Sequence, residues 1–504
     1  MAHQNAVIAS TILVRAEFGR FANQITMAVY TRRRTCCEGG VRAAGRSIPF
    51  PPSLRSLPPL NTMPRHAPHT RIVPLVLLVA GTLAAGCDVP HTQPTLPVAA
   101  APPSARYVQF AGGGRDVMLQ GFHWNSHRWD WWNLVAARAP DIQAAGFTLV
   151  WLPPSSRAAD SAGYLPSEWR NLDASMYGTG AQLRAAIAAL RGRSIRVIAD
   201  VVVNHRVGTT NWADFTSPAF ASNAAAVVRN DEWGLGTGAN DTGDGYHAAR
   251  DLDHTNASVQ TQVSSWLTWL KSTSNAGYDG WRYDYVKGFS ASYVGSYNTA
   301  TAPYFSVGEL WPDITGDYYA SCASINYHRQ KLMDWIDGTG GRSAAFDFTT
   351  KWQLQLAVDR TEYWRMGCIP GAIGWWPQMS VTFVDNHDTG PSPDGGQNHW
   401  PFPGSKVEQG YAYILTHPGT PTVYWPHYFD WGADLQNKIR ALIGIRQRQG
   451  ITSTSTISVQ AADATRYAAI VNNNTAMKIG PGSWSPGAGW TLAASGWDWA
   501  VWTR

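Results

Sequence analysis

Cysteine is scarce in this chain: five residues in 504, at positions 36, 37, 87, 322 and 368, too few for a disulfide-stapled scaffold. Charge is scarce as well, 15% of residues against 44% hydrophobic. That excludes a polyelectrolyte or a disordered tail and leaves apolar material for two or three domains around a large core. Positive charge is concentrated at the start. Residues 1–62 carry eight Arg, no Lys and two Glu, a sum of +6, and Arg65 and Arg71 add +2. The formal +5 of the whole therefore leaves −3 from Asp88 onward. A nucleic-acid binder needs a basic face on its folded part, and this balance offers none. The longest apolar run, Ile72 to Ala85, is too short to span a bilayer comfortably. No nucleotide, flavin or haem motif is present.

That short run has a meaning of its own. Arg65 and Arg71 precede it, and Leu83-Ala84-Ala85-Gly86-Cys87 ends it. A charged start, a brief apolar core and small residues before a break read as a signal peptide over 63–87, with Met63 as its start. The last five residues resemble the bacterial lipoprotein box, in which the Cys is lipidated and becomes the mature N-terminus. A plain secretory signal and a buried helix are the alternatives. Residues 1–62 then read as an upstream segment, and 88–106, rich in Pro, Ala and Thr, as a linker. These features place the protein outside the cytoplasm, secreted or held at the membrane only by a lipid on Cys87.

From Val117 to about Gly450 short apolar runs alternate with helix-period segments. Candidate strands are Val117–Gln120, Thr148–Leu152, Val197–Val202, Gly280–Tyr285, Tyr304–Val307, Ala344–Phe348, Val381–Asp385 and Thr420–Trp425. Leu183, Ile187 and Leu190 share one helical face, as do Val259, Val263, Trp266 and Leu270. Eight such alternations predict an α/β fold, a (β/α)8 TIM barrel over 107–203 and 257–449. The Gly-, Asp- and Asn-rich stretch 204–256 is too long for an ordinary loop and reads as a small insert domain after the third strand. Residues 450–504, with Thr/Ser/Val alternation and turn signals, read as a small C-terminal antiparallel β-sheet domain. All 25 Trp lie from Trp124 onward, a density compatible with flat faces that stack on ligand rings.

Acids just beyond barrel strands point into the reaction mouth. Asp284 follows the fourth strand in Gly280-Trp281-Arg282-Tyr283-Asp284, Glu309 follows the fifth, and Asp388 follows the seventh in Asp385-Asn386-His387-Asp388. One such acid is usually a cap or half of an ion pair. Three, with Asp200-Val201-Val202-Val203-Asn204-His205 after the third strand, are hard to explain as structure. Retaining glycoside hydrolysis needs one carboxylate nucleophile and one carboxylic acid, and a third charge can stabilise a cationic transition state.

These four segments resemble, in order, the four signature regions of the α-amylase family. The resemblance is widest to its plant-type members, over about Val117 to Arg504, and bacterial maltotetraose-forming amylases are similar over the barrel. It includes Asp173–Gly178, Phe346-Asp347-Phe348-Thr349-Thr350-Lys351 and Gly410–Pro421. It implies retaining endo-hydrolysis of α-1,4-glucosidic bonds in starch, glycogen and maltooligosaccharides. An exo-acting maltooligosaccharide-forming enzyme, a transglycosylase and a silent glycan-binding protein are the alternatives. Carried over residue by residue, Asp284 is the nucleophile, Glu309 the general acid/base and Asp388 the transition-state stabiliser. Arg282 holds Asp284 ionised, His205 and His387 bind sugar hydroxyls, Tyr164 stacks on the sugar being cleaved, and Lys287 contacts the leaving-group side. The adjacent Trp375 and Trp376 match a surface starch-binding pair.

The resemblance also implies one Ca2+ clipping the insert to the barrel. Its ligands would be the side chains of Asn204, Asp241 and Asp251, with the backbone carbonyls of Asp244 and Gly288. Hard oxygen ligands from a loop suit this ion. Cys322 and Cys368 are candidates for a disulfide, and a monomer is the expected state.

Overall fold

In a computed structural model the described residues are 107–313 and 322–504. The predicted upstream segment, signal peptide with Cys87, and linker lie outside them. No helix among the described residues is long and apolar enough to cross a membrane.

Eight parallel strands close on themselves: β1 (Met118–Gln120), β2 (Leu149–Leu152), β3 (Arg196–Val201), β4 (Gly280–Tyr283), β5 (Ser306–Gly308), β6 (Ala344–Phe346), β7 (Ser380–Phe383) and β8 (Thr420–Tyr424). Closure is made at β1, where Met118 pairs with both Leu149 and Thr422. Every predicted strand is present to within two residues at either end. The strands are short, and nearly all their side chains are buried on both faces, which is why they read as continuous apolar runs rather than alternations.

Eight helices follow the strands in turn: α1 (Trp131–Ala145), α2 (Gly180–Arg191), α3 (Ala257–Lys271), α4 (Ala291–Thr301), α5 (Cys322–Gly338), α6 (Phe348–Arg360), α7 (Val407–Thr416) and α8 (Ala433–Arg448). α2 starts at Thr179, whose hydroxyl accepts from the Gln182 N–H while the Gln182 side chain reaches back, a capping box. Its Leu183, Ile187 and Leu190 are buried, as are Val259, Val263, Trp266 and Leu270 of α3, the two faces the periodicity predicts. Each such aliphatic side chain contributes about 1.5–3 kcal/mol on burial.

The stretch 204–256 is mostly irregular. Its regular parts are a ribbon pairing His205–Arg206 with Arg250–Asp251 and a single turn at Ala224–Ala226. Arg206 braces it beside buried Phe215 and Phe220: its buried guanidinium donates to the carbonyls of Ser167, Thr216 and Pro218 and lies 4.5 Å from the Trp169 ring centre. The C-terminal segment is a five-stranded antiparallel sheet, β9 (Ile457–Ala462), β10 (Tyr467–Val471), β11 (Thr475–Ile479), β12 (Thr491–Gly496) and β13 (Trp499–Thr503), in the order β9-β10-β11-β13-β12. It is tied to α7 by the Trp499 indole, which donates to Glu408 at 2.8 Å.

Candidate active site

Register assembles the site. Asp200 on β3 pairs with Arg282 on β4, which pairs with Val307 on β5. Arg282 therefore lies between the strand ends that carry Asp200, Asp284 and Glu309. Its guanidinium is fully buried, and Nη1 meets Asp200 Oδ1 at 2.9 Å and Asp284 Oδ1 at 2.8 Å while Nη2 meets Glu309 Oε2 at 2.9 Å. Three carboxyls converge on one cation. Retention calls for two carboxyls held close together, and Glu309 and Asp284 sit on the two terminal nitrogens of one guanidinium.

Three acids on one cation cannot all ionise freely once water is removed. Burial pushes Asp284 and Glu309 up to about 7 and Asp200 up to about 6, with Arg282 opposing the rise in each case. The direction is the functional point: near neutrality the Asp284–Glu309 pair holds a proton that an exposed acid would have lost. The backbone contributes too. Tyr285, directly after Asp284, adopts a left-handed conformation (φ 45°) that is sparsely populated for an aromatic residue. This turns its N–H toward Glu309 Oε2 at 3.2 Å and lets its hydroxyl donate to the Gly245 carbonyl in the insert.

His387 and Tyr164 form the opposite wall. Tyr164 donates its hydroxyl proton to Asp200 at 2.9 Å, so the 2.7 Å contact with His387 Nε2 makes that nitrogen the donor. Gln120 then donates to the bare Nδ1 at 2.9 Å. The ring is held neutral with its proton on Nε2, and burial with Arg282 nearby lowers its pKa well below the usual value. The rings of Trp124, Tyr164 and His387 are parallel within 9°, with centroids 5.2–6.1 Å apart, a flat aromatic wall suited to a sugar ring. Asp388 is the most open of the acids and lies 3.3 Å from His387 Nε2. His205 donates from Nε2 to the Tyr164 carbonyl and stacks on Tyr246 at 3.8 Å. Lys287 is at the rim, 3.9 Å from Asp244 Oδ2 and 5.3 Å from the Tyr285 ring centre.

A second anionic group lies beneath this wall. Asp251 Oδ1 accepts from the Asn204 amide at 2.9 Å and its Oδ2 from the Tyr246 N–H. The loop carrying Asp241 packs on Lys287 and Gly288 so closely that a Cβ on Gly243 would stand 2.4 Å from the Lys287 carbonyl, and one on Gly288 2.1 Å from Asn204 Oδ1. Asp241 Oδ2 is buried with no hydrogen-bond partner. Burial, reinforced by neighbouring Asp241, Glu232 and Asp231, pushes Asp251 up to about 9. Carboxylate oxygens of Asp231, Glu232 and Asp251 lie within 4.8 Å of one another. Asp244 turns its own carboxylate outward and brings its backbone to the cluster through an N–H bond to the Lys287 carbonyl.

The tryptophan pair divides. Trp376 is buried in the barrel's core, and Trp375 is half-buried with the Arg329 guanidinium 3.7 Å from its ring centre. Only Trp375 reaches the surface. Cys368 is disulfide-bonded; the Cys322 side chain lies outside the described ones.

Sequence reading did not single out Asp200, Gln120, Trp124, Asp231 or Glu232 as site residues. Asp200 carried a signal, since it is an acid near the end of the third strand in the segment that leads to Asn204 and His205.

Two carboxyl groups on one guanidinium at the C-terminal mouth of a parallel barrel, with a proton retained near neutrality, are the equipment of a glycoside hydrolase. The sequence matches the family described as the α-amylase catalytic domain over residues 130–225 and the α-amylase C-terminal β-sheet domain over 448–503. It is 44% identical over 403 residues to probable α-amylase 2 of Arabidopsis thaliana, covering 78% of this chain and 94% of that one. It is 35% identical over 366 residues to the glucan 1,4-alpha-maltotetraohydrolase of Stutzerimonas stutzeri, covering 69% and 64%. The solved α-amylase of Malbranchea cinnamomea shares the fold, with a TM-score of 0.54 at 18% identity over 74% of this chain and 83% of that one. The chain belongs to the α-amylase family.

Proposed function

We propose that this enzyme hydrolyses internal α-1,4-glucosidic bonds of starch, glycogen and maltooligosaccharides with retention. The observation that carries the reading is the convergence of the Asp284 and Glu309 carboxyls on the one Arg282 guanidinium. Asp284 attacks the anomeric carbon while Glu309 gives its proton to the departing glycosidic oxygen. Glu309, now a carboxylate, then takes a proton from the water that releases the sugar from Asp284. Asp388 faces the positive charge that develops on the sugar. His205 and His387 are the candidates to engage sugar hydroxyls, His387 by turning its Nε2 proton from the Tyr164 hydroxyl to the substrate, the Trp124–Tyr164 wall supports the ring, and Lys287 stands on the leaving-group side. Trp375 is the remaining candidate for an outer glucan contact.

Resemblance to a maltotetraose-forming relative supports exo-action as the second reading. Product sizes over time from soluble starch separate the two. Endo-action gives a broad ladder and a rapid fall in iodine colour before much sugar is released. A single short oligosaccharide from the first minutes overturns it.

The acidic group under the cleft supports one bound Ca2+, with Asn204, Asp241 and Asp251 as side-chain ligands and Asp244 and Gly288 offering carbonyls. Asp231 and Glu232 deepen the negative field. The orphaned oxygen of Asp241 and the clustered acids fit a hard cation. When bound, the ion supplies charge balance and joins insert to barrel. Excess chelator is expected to remove about 3 kcal/mol of stability, the worth of a ligand at roughly a hundred times its dissociation constant. The melting temperature and the activity should fall together and recover with Ca2+; an unchanged melting curve contradicts the site.

We also propose export, with residues 63–87 as the signal and Cys87 as a lipid-bearing N-terminus. A mature chain that retains residues 1–62 contradicts it.

A further inference from the structure

Behind the loop that carries His387 and Asp388 lies a buried ion pair that the chemistry above does not use. Lys351 on α6 is fully buried. Its ammonium donates to Asp385 Oδ1 at 2.9 Å, to the Val384 carbonyl at 2.7 Å and to Gln355 Oε1 at 3.0 Å, with the Trp400 ring centre 4.9 Å away. All three ammonium protons are taken, two of them by the end of the β7 segment. Asp385 is held in turn, Oδ1 accepting from the Thr389 hydroxyl at 2.9 Å and both oxygens from the Phe402 N–H at 3.2 Å, with His427 Nε2 3.7 Å from Oδ2.

From Asp385 the bonds run on to the backbone of the reacting residue. Thr389 Oγ1 accepts from the Asn386 N–H at 3.0 Å, and Asn386 Oδ1 accepts from the N–H groups of Asp388 at 3.1 Å and Thr389 at 2.9 Å. The Asp388 carbonyl accepts from the His399 N–H and the Thr389 carbonyl from the Trp400 N–H. The loop is a closed knot of hydrogen bonds anchored on the buried Lys351–Asp385 ion pair.

A pair of buried ions is a poor stabiliser, because desolvation offsets the attraction and apolar replacements are often neutral. Its directionality is another matter: a saturated ammonium fixes the carboxylate, and the carboxylate fixes the hydroxyl that orients the loop. We propose that Lys351 and Asp385 are positioning residues that set the place of Asp388 in the cleft through Thr389 and Asn386. The inference rests on Asp388 acting at the reaction centre.

The test compares Lys351→Met, Thr389→Val, the double variant Lys351→Met/Asp385→Asn and Asp388→Asn. Each is assayed on soluble starch well below its melting temperature, with kcat and KM resolved. Lys351→Met is expected to lower kcat about 100-fold, the cost of a small misplacement at a reacting centre, with KM within about twofold. Thr389→Val removes both of that hydroxyl's hydrogen bonds without touching either charge and should lower kcat at least about tenfold, with a fall in melting temperature that leaves the enzyme folded at the assay temperature. The double variant should regain much of the melting temperature that Lys351→Met loses but not its kcat. If the pair merely holds the fold, melting and kcat recover together, and that overturns the proposal. A wild-type kcat in Thr389→Val overturns it equally, and decides the matter should Lys351→Met fail to fold. Wild-type turnover in Asp388→Asn would instead dismiss the role given to Asp388.

Discussion

A Glu309→Gln enzyme is expected to cleave soluble starch about 10²- to 10⁴-fold more slowly than the wild type, the usual worth of a positioned proton donor. An Asp284→Asn enzyme should lose at least as much, because no covalent intermediate can form. The two losses have different chemistry, and a synthetic maltooligoside with a weakly basic aryl leaving group separates them. Such a group departs without a proton, so formation of the glycosyl-enzyme by Glu309→Gln should be nearly restored on it. Release of the sugar still needs a base, so the product of the first step should appear as a burst. Asp284→Asn should gain nothing from the better leaving group. The side-chain amide that Glu309→Gln introduces can still lie beside Arg282 and accept from the Tyr285 N–H, as Glu309 Oε2 does, so fold loss is not the expected cause. Near-native starch hydrolysis by either variant, or equal rescue of both, would remove the assignment of roles.

The barrel was legible because its physics is local. A strand buried on both faces writes itself as a short apolar run, and a helix on its outer layer repeats its apolar residues at 3.6. Asp284 and Glu309 were legible because each lies immediately past such a run. What periodicity cannot show is which distant loops meet. Gln120 reaches His387 across 267 positions and Trp124 packs beside it from the same end of the chain, and nothing in either segment names the other. Lys351 stood only as the end of a matching segment, and Asp385, 34 positions on, accounts for its burial. Trp375 and Trp376 look equivalent as neighbours, yet Trp375 ends a single helical turn and the chain bends there, sending one ring to the surface and the other into the core. The insert was recognised as an excursion from its length, whereas its support by Arg206 on scattered carbonyls and aromatic rings left no pattern to read. Asp231 and Glu232 stood beside the predicted ligands but about ten positions before Asp241, outside the spacing that drew attention to Asp241 and Asp251.

Arg282 carries the second large prediction, and its sign depends on pH. Arg282→Met leaves Asp200, Asp284 and Glu309 buried without their cation. At neutral pH the loss should be about 3–5 kcal/mol, the penalty for breaking a buried pair. In the wild type these acids have folded-state values of about 6, 7 and 7, above the 3.8 and 4.5 of ordinary Asp and Glu. The folded chain therefore binds more protons than the unfolded one between about pH 4 and pH 7, and the cluster's contribution to stability is greatest at the acid end and declines as pH rises through that window. Arg282 is the influence that restrains each rise. Without it the three values climb further, the decline steepens and extends to higher pH, and the gap from the wild type widens toward neutrality. Toward pH 4 the acids are protonated and need no counter-ion, so the two melting temperatures should converge. Activity should move the other way. Asp284 must be ionised to attack, so raising its value pushes the acid limb of the pH–rate curve upward, and the higher value of Glu309 pushes the alkaline limb after it. One substitution is thus expected to make the protein relatively more stable in acid and its residual activity relatively higher in base. A melting gap that is constant with pH, or largest near pH 4, would mean that the three carboxyls do not share this cation.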